Sequence, residues 1–403
     1  MKPGNIELLR TLMSEAELSG ILAFQQDNIR YISGYRPGGH VQKSMGTYSA
    51  FIPSDPSLSS ALIVSEFDEM WARLASGLSD VRALRLWVEI DDLGALERGE
   101  TTIRPHPVQF EMADVFAHIR GVLGDRGLLG GSVGCELSKL PSEFRRRLVA
   151  EVNEVDWVDA SDLLWRAAMI KTPEEIGLLR RSVELSELGM SAALLAQDPR
   201  GRSVSQLRND FEIAVRHELE SDPVLEGYES SRIYMTAGGT IGPNVGRNSD
   251  VVTDGSLIWV DCGVMIDGYE ADIGRTFQVG KADPLTERIA EALTQGSNAG
   301  FKLLQPGLLH HELFDRTLDT VRSAGLPTYT RGHVGHSIGA GGGEKPPFVT
   351  SGEKMPIVPG MVMAYERPYY VRGLGGFQFE DNFVVHESGI ELLTAMPRGL
   401  IRI

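Results

Sequence analysis

Two aspartates, Asp261 and Asp272, lie in the segment 257–277, whose sequence is LIWVDCGVMIDGYEADIGRTF. Asp261 directly follows an apolar run, and a buried carboxylate is costly unless it is hydrogen-bonded, paired or bound to a cation. The Gly268-Tyr269 turn predicts a hairpin that could bring both carboxylates to one face, where a metal ion is the simplest compensation. A second interpretation stays open, in which one aspartate caps the turn and the other pairs with Arg275.

Three side chains further along the chain are also of types that bind divalent metals. His336 lies in RGHVGHSIG, Glu366 ends an apolar run, and Glu380 ends GGFQFE. Together with the two aspartates they form an oxygen-rich set with one imidazole, which suits two divalent ions bridged by carboxylates and a water. We therefore expect two divalent ions per chain, with manganese as the first choice and cobalt, zinc or iron as alternatives.

At these positions the chain resembles the pita-bread metallopeptidases, which include prolidase, aminopeptidase P and methionine aminopeptidase, with creatinase as a metal-free relative. The matching motifs are Asp261 with Gly263, Asp272 with Arg275-Thr276, His336 in GHSIG, Glu366, Glu380-Asp381, DNIRYISGY at 27–35 and IKTPEEIGLLR at 170–180. The resemblance covers nearly the whole chain. It implies an α+β protein, with a creatinase-type α/β domain at 1–165 and a pita-bread domain, a curved antiparallel sheet covered by helices, at 166–403.

The resemblance also implies roles for the five candidate metal ligands. Asp272 and Glu380 would bridge the two ions, and Asp261 would complete one ion site. His336 and Glu366 would complete the other. Glu366 is the expected general acid/base, because the family assigns proton transfer from the attacking water to that position.

The sequence departs from the family at positions that face the substrate. Where the family's peptidases carry histidines, this chain has Asn244, Gly332 and Gly343, while His333 stands beside the second of these positions. We expect Asn244 and His333 to bind the substrate, and His333 to take part in catalysis. Asn can donate a hydrogen bond to a carbonyl, but it cannot carry a proton at neutral pH.

Two arginines border the predicted ligands. The resemblance implies that Arg275 orients Glu380. Arg367 directly follows Glu366 and would recognise a substrate carboxylate if it pointed inward, although the alternation of a strand favours an outward position.

Composition excludes several classes of partner. The chain has 403 residues, 42% of them hydrophobic, which is enough for two domains, each with its own core. Its formal net charge of -16 disfavours binding to nucleic acid or to anionic membranes. We expect a cytoplasmic protein, because no apolar run approaches the roughly 18 residues of a membrane span and the acidic start lacks a signal-type apolar region. Cys135 and Cys262 give no basis for a disulfide framework.

In the amino-terminal half, short apolar runs alternate with helical patterns, as is typical of an α/β layer domain. The predicted strands are 21–24, 48–52, 61–64, 84–90, 132–137 and 155–158, and the predicted helices are 6–18, 109–123 and 141–152. The resemblance places this domain at a homodimer interface, from which the loop Arg36 to His40 could reach a neighbouring active site.

In the carboxy-terminal half, helix start signals frame the predicted site. Thr172-Pro173-Glu174-Glu175 is a capping box with proline at the first helical position, and Ser203 with Gln206 repeats the pattern. Further helices are predicted at 284–304 and 310–324, and a strand at 230–237.

Three functions are compatible with these residues. The first is a dinuclear metallohydrolase of an amide or imide bond, with a peptide of the Xaa-Pro type as the default substrate. The second is a hydrolase or lyase of a small nitrogenous metabolite, as creatinase exemplifies. The third is a non-catalytic binding protein, which the complete five-ligand set disfavours.

Overall fold

The computed structural model describes residues 4–37, 47–85, 90–103, 112–220, 222, 226–238 and 246–403. The chain divides into two compact units, Met1–Ala168 and Met169–Ile403. The limits 1–165 and 166–403 stay a prediction and lie within a few residues of this division.

The amino-terminal unit is built on a mixed sheet. Its strands are β1 (Gly20–Ala23), β2 (Ser49–Pro53), β3 (Ala61–Ser65), β4 (Asp80–Leu84), β5 (Ser132–Cys135) and β6 (Asp156–Asp159). Its helices are α1 (Ile6–Glu15), α2 (Gln26–Ser33), α3 (Glu69–Ser76), α4 (Leu93–Glu97), α5 (Met112–Gly124), α6 (Ser142–Glu151) and α7 (Ser161–Met169). Within the described residues the strand order is β4-β3-β2-β1-β5-β6. The pairs β1–β2 and β2–β3 are antiparallel and the others are parallel.

One predicted strand of this unit lies earlier than expected. The prediction placed it at 84–90, whereas β4 ends at Leu84 and pairs in parallel with β3; residues 86–89 lie outside the described part. Arg82 pairs with Asp80 at 3.0 Å and with Asp125 at 2.7 Å. Asp80 and Arg82 interrupt the apolar residues of this edge strand, so β4 lacks the apolar run on which the prediction relied.

The helices of the carboxy-terminal unit begin where the sequence predicts. They are α8 (Pro173–Leu194), α9 (Val204–Leu219), α10 (Pro284–Leu303) and α11 (His310–Ser323). Both predicted capping boxes are present: Thr172 and Glu175 exchange side-chain to backbone hydrogen bonds, and so do Ser203 and Gln206. The predicted starts are therefore confirmed.

The second unit carries a large antiparallel sheet. Its strands are β7 (Tyr228–Ala237), β8 (Leu257–Ile266), β9 (Tyr269–Glu270), β10 (Ile273–Gln278), β11 (Gly335–Ser337), β12 (Lys345–Phe348), β13 (Val362–Glu366), β16 (Glu380–His386), β17 (Gly389–Leu392) and β18 (Leu400–Arg402), with β14 (Tyr369–Val371) and β15 (Gly375–Phe377) as a separate pair. In the described residues the main path runs β12-β11-β13-β16-β10-β8-β7. Among the described residues of this unit, β10 and β18 are the only neighbouring strands that pair in parallel.

The predicted hairpin is confirmed, with a small shift of its turn. β8 and β10 pair antiparallel, and the left-handed residues between them are Asp267, at φ 49°, and Gly268, at φ 79°. Asp and Gly tolerate this conformation better than Tyr does, so the turn falls one residue before the predicted Gly268-Tyr269 pair.

Helices α10 and α11 cover one face of the sheet. The hydroxyl of Tyr365 in β13 lies 2.6 Å from Thr317 Oγ1 in α11 and donates to the carbonyl of Gly296 in α10 at 3.3 Å. Tyr365 alternates with Glu366 along the strand, so the carboxylate points to the opposite face. The sheet thus separates an apolar, helix-covered side from the side that carries the predicted ligands. Across the described residues, no helix has both the length and the apolar character needed to cross a bilayer.

Candidate metal centre

The five predicted metal ligands come together because their strands are neighbours in the sheet. The order β11-β13-β16-β10-β8 places one ligand on or beside each successive strand. In that order the ligands are His336, Glu366, Glu380, Asp272, just ahead of β10, and Asp261. Lateral pairing therefore joins residues that are far apart in the chain.

Strand register aligns the carboxylates. Glu366 lies directly opposite Glu380, and Gly274 lies opposite both Glu380 and Asp261. Gly274 places no side chain between those two carboxylates, and a Cβ there would collide with the side chain of Gln378. The absence of a side chain at Gly274 thus leaves room for Gln378 to pack against this strand beside the carboxylates.

Three of the ligands converge closely. His336 Nε2 lies 3.7 Å from Asp272 Oδ2 and 3.8 Å from Glu380 Oε1, and all three side chains are buried. The ligand atoms of this group lie within 4.8 Å of one another. His336 Nδ1 is 3.1 Å from the carbonyl of Ser337, and burial lowers the pKa of the imidazole. With Nδ1 donating to that carbonyl, the lone pair of neutral His336 is on Nε2, which faces the carboxylates.

Glu366 has a second set of neighbours. His333 Nδ1 lies 3.2 Å from Glu366 Oε1, and Arg331 Nη2 lies 3.3 Å from the same oxygen. Glu344 contacts the other nitrogen of the imidazole, with its Oε2 3.4 Å from His333 Nε2. His333, which was expected to bind the substrate and to take part in catalysis, therefore lies beside Glu366, the expected general acid/base.

Gln378 was missed by the sequence analysis. Its Nε2 donates to Glu380 Oε2 at 2.8 Å and to Glu366 Oε2 at 3.4 Å. A neutral amide can hold two facing carboxylates in place without supplying charge. Its position two residues before Glu380, on the same face of an extended segment, was the available signal.

Arg232 of β7 was also missed, and it contacts both aspartates of the hairpin. Its Nη1 lies 2.6 Å from Asp261 Oδ1 and its Nη2 lies 2.6 Å from Asp272 Oδ1. Its Nε lies 3.3 Å from Glu270 Oε1. The open interpretation that an aspartate pairs with an arginine is therefore right about the type of partner. The partner of both aspartates is Arg232 and not Arg275.

The electrostatics reflect several carboxylates in a small buried space. Burial, followed by the adjacent charge of Asp272, raises the pKa of Asp261 to about 6. Burial also raises the pKa values of Asp272 and Glu366, and it raises that of Glu380 well above its usual range, with neighbouring carboxylates adding to each rise. Arg232 opposes the rise at both aspartates. A cluster of this kind favours bound protons or cations.

Both parts of the chain match known families. Residues 177–387 match Metallopeptidase family M24, and residues 5–170 match the Creatinase/Prolidase N-terminal domain. The first match alone covers more than half of the 403 residues.

The chain belongs to metallopeptidase family M24.

Individual relatives of this M24 protein are distant. It is 23% identical over 399 residues to "Uncharacterized peptidase YqhT" of Bacillus subtilis, which covers 98% of this chain and 99% of that protein. It is 26% identical over 245 residues to "Putative dipeptidase YkvY" of Bacillus subtilis, which covers 61% of this chain and 66% of that protein. Among solved structures, the Xaa-Pro dipeptidase from Bacillus anthracis has a TM-score of 0.78 at 20% identity, with 99% of both chains covered.

These comparisons confirm several sequence-based expectations. The predicted family and the creatinase-type plus pita-bread fold are confirmed by the two family matches and by the structural similarity. The expectation of a metallohydrolase is confirmed at the level of the family. The roles of individual residues stay predictions.

The structure shows the contacts of the two arginines that border the predicted ligands. Arg275 donates to the backbone carbonyl of Glu380 at 2.6 Å and to Asp381 Oδ1 at 2.8 Å, so its contact with Glu380 is through the main chain. Arg367 is fully buried, donates to Asp381 Oδ2 at 3.3 Å, and lies 4.1 Å from the centre of the Tyr365 ring. This corrects the expectation that Arg367 would recognise a substrate carboxylate, because its guanidinium is not presented to the site. Alternation does turn it away from the site, but the helices cover the face to which it points.

The remaining substrate-side predictions differ in how far the structure describes them. Asn244 lies outside the described residues, as do residues 38–40 of the Arg36 to His40 loop. Gly343 has a left-handed φ of 67°, a conformation that a histidine would adopt only with strain. Three residues were expected to contact the substrate: Asn244, His333 and Arg367. Among the described residues, only His333 lies at the site.

The donor set of the M24 protein fits a divalent ion on one side. Two ligand atoms that each lie about 2.1 Å from an ion are roughly 3 to 4 Å apart, in line with the spacing around His336 Nε2. Carboxylates with one imidazole suit Mn, Fe, Co or Zn. On the other side, one oxygen of Asp261 and one of Asp272 already contact Arg232. The arrangement there fits a guanidinium.

Proposed function

We propose that this M24 protein is a metal-dependent hydrolase of an amide or imide C–N bond, with an Xaa-Pro peptidase-like catalytic plan and an atypical substrate pocket. The observation that carries the proposal is the convergence of Asp272, His336 and Glu380, with Glu366 directly opposite Glu380. The printed activity of the Bacillus anthracis structure, an Xaa-Pro dipeptidase, supports the substrate class.

Manganese is the ion that we propose, with cobalt, zinc and iron as alternatives that tolerate the same donors. A divalent ion in this site supplies Lewis acidity and lowers the pKa of bound water. The side chains of Asp272, His336, Glu366 and Glu380 would hold it. Two ions, as the sequence predicts, would also require Asp261 and both oxygens of Asp272, and Arg232 contacts an oxygen of each.

Glu366 and His333 are the residues that would move protons. Burial raises the pKa of Glu366, which makes its carboxylate a better proton acceptor than an exposed one. Burial lowers the pKa of His333, so the imidazole is neutral at pH 7 and can either accept or donate. His333 Nδ1 lies 3.2 Å from Glu366 Oε1 without a hydrogen bond between them, so proton transfer would require a small rotation of the imidazole toward the carboxylate. Asn244, outside the described residues, is proposed to bind the substrate beside His333.

A second candidate is hydrolysis or cleavage of a small nitrogenous metabolite, as in the creatinase-like alternative. The contacts of Arg232 with one oxygen of each hairpin aspartate favour it, because they leave fewer carboxylate oxygens for the second ion of a dinuclear peptidase centre. The two candidates differ in their substrates and can be compared on one panel.

We further propose a cytoplasmic homodimer. A reducing compartment suits the buried free thiols Cys135 and Cys262. The side chains of Met70, Trp71 and Leu74 on α3 are exposed, at 86%, 56% and 76%, and apolar groups at this helical spacing favour a protein interface. The occupant that we propose for this surface is a second copy of the chain.

The function can be tested on protein purified without chelator. Activity would be measured on Xaa-Pro dipeptides, longer peptides with proline second, and small cyclic or N-acyl amides, before and after chelation and after addition of Mn(II). We expect chelation to abolish hydrolysis and Mn(II) to restore it. Full activity in metal-free protein would contradict the proposal.

A further inference from the structure

The guanidinium of Arg232 lies between the two aspartates of the β8–β10 hairpin. One terminal nitrogen contacts Asp261 and the other contacts Asp272, each at 2.6 Å, and Nε faces Glu270. All three nitrogens of the group are thus directed at carboxylates. A cation held between two carboxylates occupies the space that a metal ion shared by the same oxygens would need.

We propose that Arg232 takes the place of one divalent ion, so that the centre of this chain holds a single ion. The inference rests on the proposed metal-dependent function and changes two of its details. Asp261 becomes a partner of Arg232 and not a metal ligand, and Arg232 becomes a positioning residue for the hairpin.

Asp272 links the two positive groups. Its Oδ1 contacts Arg232, whereas its Oδ2 lies 3.7 Å from His336 Nε2. The same imidazole nitrogen lies 3.8 Å from Glu380 Oε1. One oxygen of Asp272 therefore binds the guanidinium of Arg232, and the other faces the proposed ion site.

A second divalent ion at Asp261 would lie against the guanidinium. Arginine does not lose its proton in proteins, and Arg232 contacts three carboxylates. Repulsion between two cations is strong where water is largely excluded. An ion could bind there only after Arg232 had left its three carboxylate contacts.

The sheet fixes Arg232 in place. It lies directly opposite Gly263 of β8, where a Cβ would collide with the carbonyl of Ala271, so the strands approach closely. The Tyr234 ring lies 5.6 Å from the guanidinium carbon, and the Arg232 side chain is 22% exposed. Strand pairing fixes the backbone of Arg232, and the three carboxylate contacts hold its guanidinium.

Ion counts on variants test this inference. Wild type, Arg232→Met and Arg181→Met would be loaded with Mn(II), freed of unbound ion, and measured by elemental analysis and electron paramagnetic resonance. Met has a similar length to Arg without its charge. Arg181 of α8, bonded to Glu184 of α8, to Glu218 of α9 and to Asp222 beyond the end of α9, is the matched control.

We expect about one ion per chain in wild type and in Arg181→Met, and about two in Arg232→Met, a twofold increase. The spectrum should change from that of isolated Mn(II) to that of exchange-coupled Mn(II). Asp261→Asn should keep the wild-type count, and loss of its ion would overturn the inference. The wild-type measurements decide the question even if Arg232→Met fails to fold.

The possible failures are distinguishable. Two exchange-coupled ions in wild type would overturn the inference and leave the proposed hydrolase intact. One ion without hydrolysis of any substrate on the panel would overturn the proposed function and support the single-ion centre. No bound ion at saturating Mn(II) would overturn both.

Discussion

Glu366 and Glu380 lie directly opposite each other on the neighbouring antiparallel strands β13 and β16. Like charges at opposed positions destabilise a sheet, and here both side chains are buried. Gln378 donates to both carboxylates but brings no charge. The pair therefore favours a bound proton or a bound cation, and this preference couples ion binding to the stability of the second unit.

We predict that Asp272→Ala and Glu380→Ala abolish both ion binding and activity, because each removes a carboxylate that faces His336 Nε2. The loss in kcat/KM should be at least 10² to 10⁴, roughly 3 to 5 kcal/mol of barrier. Elemental analysis and kinetics on the same preparations provide the measurement. Glu270→Gln, which alters a carboxylate beside Arg232, is the control that should keep its ion. A bound ion and normal rate in Asp272→Ala would contradict the ligand assignment.

We predict that metal-free protein loses stability through Asp261 as the pH rises. The folded pKa of Asp261 is raised from 3.8 to about 6, so the folded state binds the proton more tightly than the unfolded state. This contribution is fully present below about pH 4 and disappears as the pH rises through about 6; the shift corresponds to about 3 kcal/mol.

Chelator-treated wild type and Asp261→Asn provide the comparison for this pH effect. Their free energies of unfolding would be measured from pH 4 to 7 in denaturant. The wild type should lose stability relative to the variant across this range, while effects from His333 and His336 cancel in the difference. A constant difference would show that Arg232 keeps Asp261 ionised throughout.

We predict that His333→Gln lowers kcat by roughly 10² to 10⁴, because glutamine can hydrogen-bond but cannot carry a proton. Glu344→Gln, which alters the half-exposed carboxylate 3.4 Å from the same imidazole, should cost much less. A pH profile of kcat should lose one ionisation in His333→Gln. An unchanged profile and rate would remove His333 from the proton path.

We predict that Xaa-Pro dipeptides are poor substrates, with kcat/KM below about 10⁴ M⁻¹s⁻¹. The resemblance implies histidines at the positions of Asn244, Gly332 and Gly343 in the family's peptidases, and we expect Gly343 to leave space for a bulkier or cyclic substrate. The measurement compares kcat/KM for Xaa-Pro dipeptides with kcat/KM for small cyclic and N-acyl amides under one metal condition. Efficient cleavage of Xaa-Pro dipeptides would show that those histidines are dispensable.

We predict a homodimer at micromolar concentration that depends on the apolar face of α3. The double substitution Met70→Glu and Leu74→Glu places two charges on that face and should give a monomer without unfolding the chain, since both side chains are mostly exposed. Sedimentation velocity on wild type and variant measures the change. A wild type that sediments as a monomer would contradict the prediction.

Local chemistry made part of this protein predictable. The starts of α8 and α9 depend on contacts between Thr172 and Glu175 or Ser203 and Gln206, residues three positions apart. The β8–β10 hairpin depends on a short turn between apolar runs. The types of the five candidate ligands and the apolar or Gly-rich segments around them were also enough to predict a metal site.

Lateral packing decided what the sequence could not. Arg232 reaches Asp261 and Asp272 because β7 pairs with β8 in one particular register, which no local pattern specifies. Arg367 is buried because α10 and α11 cover the face to which alternation turns it. The sequence by itself determined which residues can bind a metal. Only the tertiary structure determined which of them meet a guanidinium instead, because strand pairing and helix packing join positions far apart in the chain.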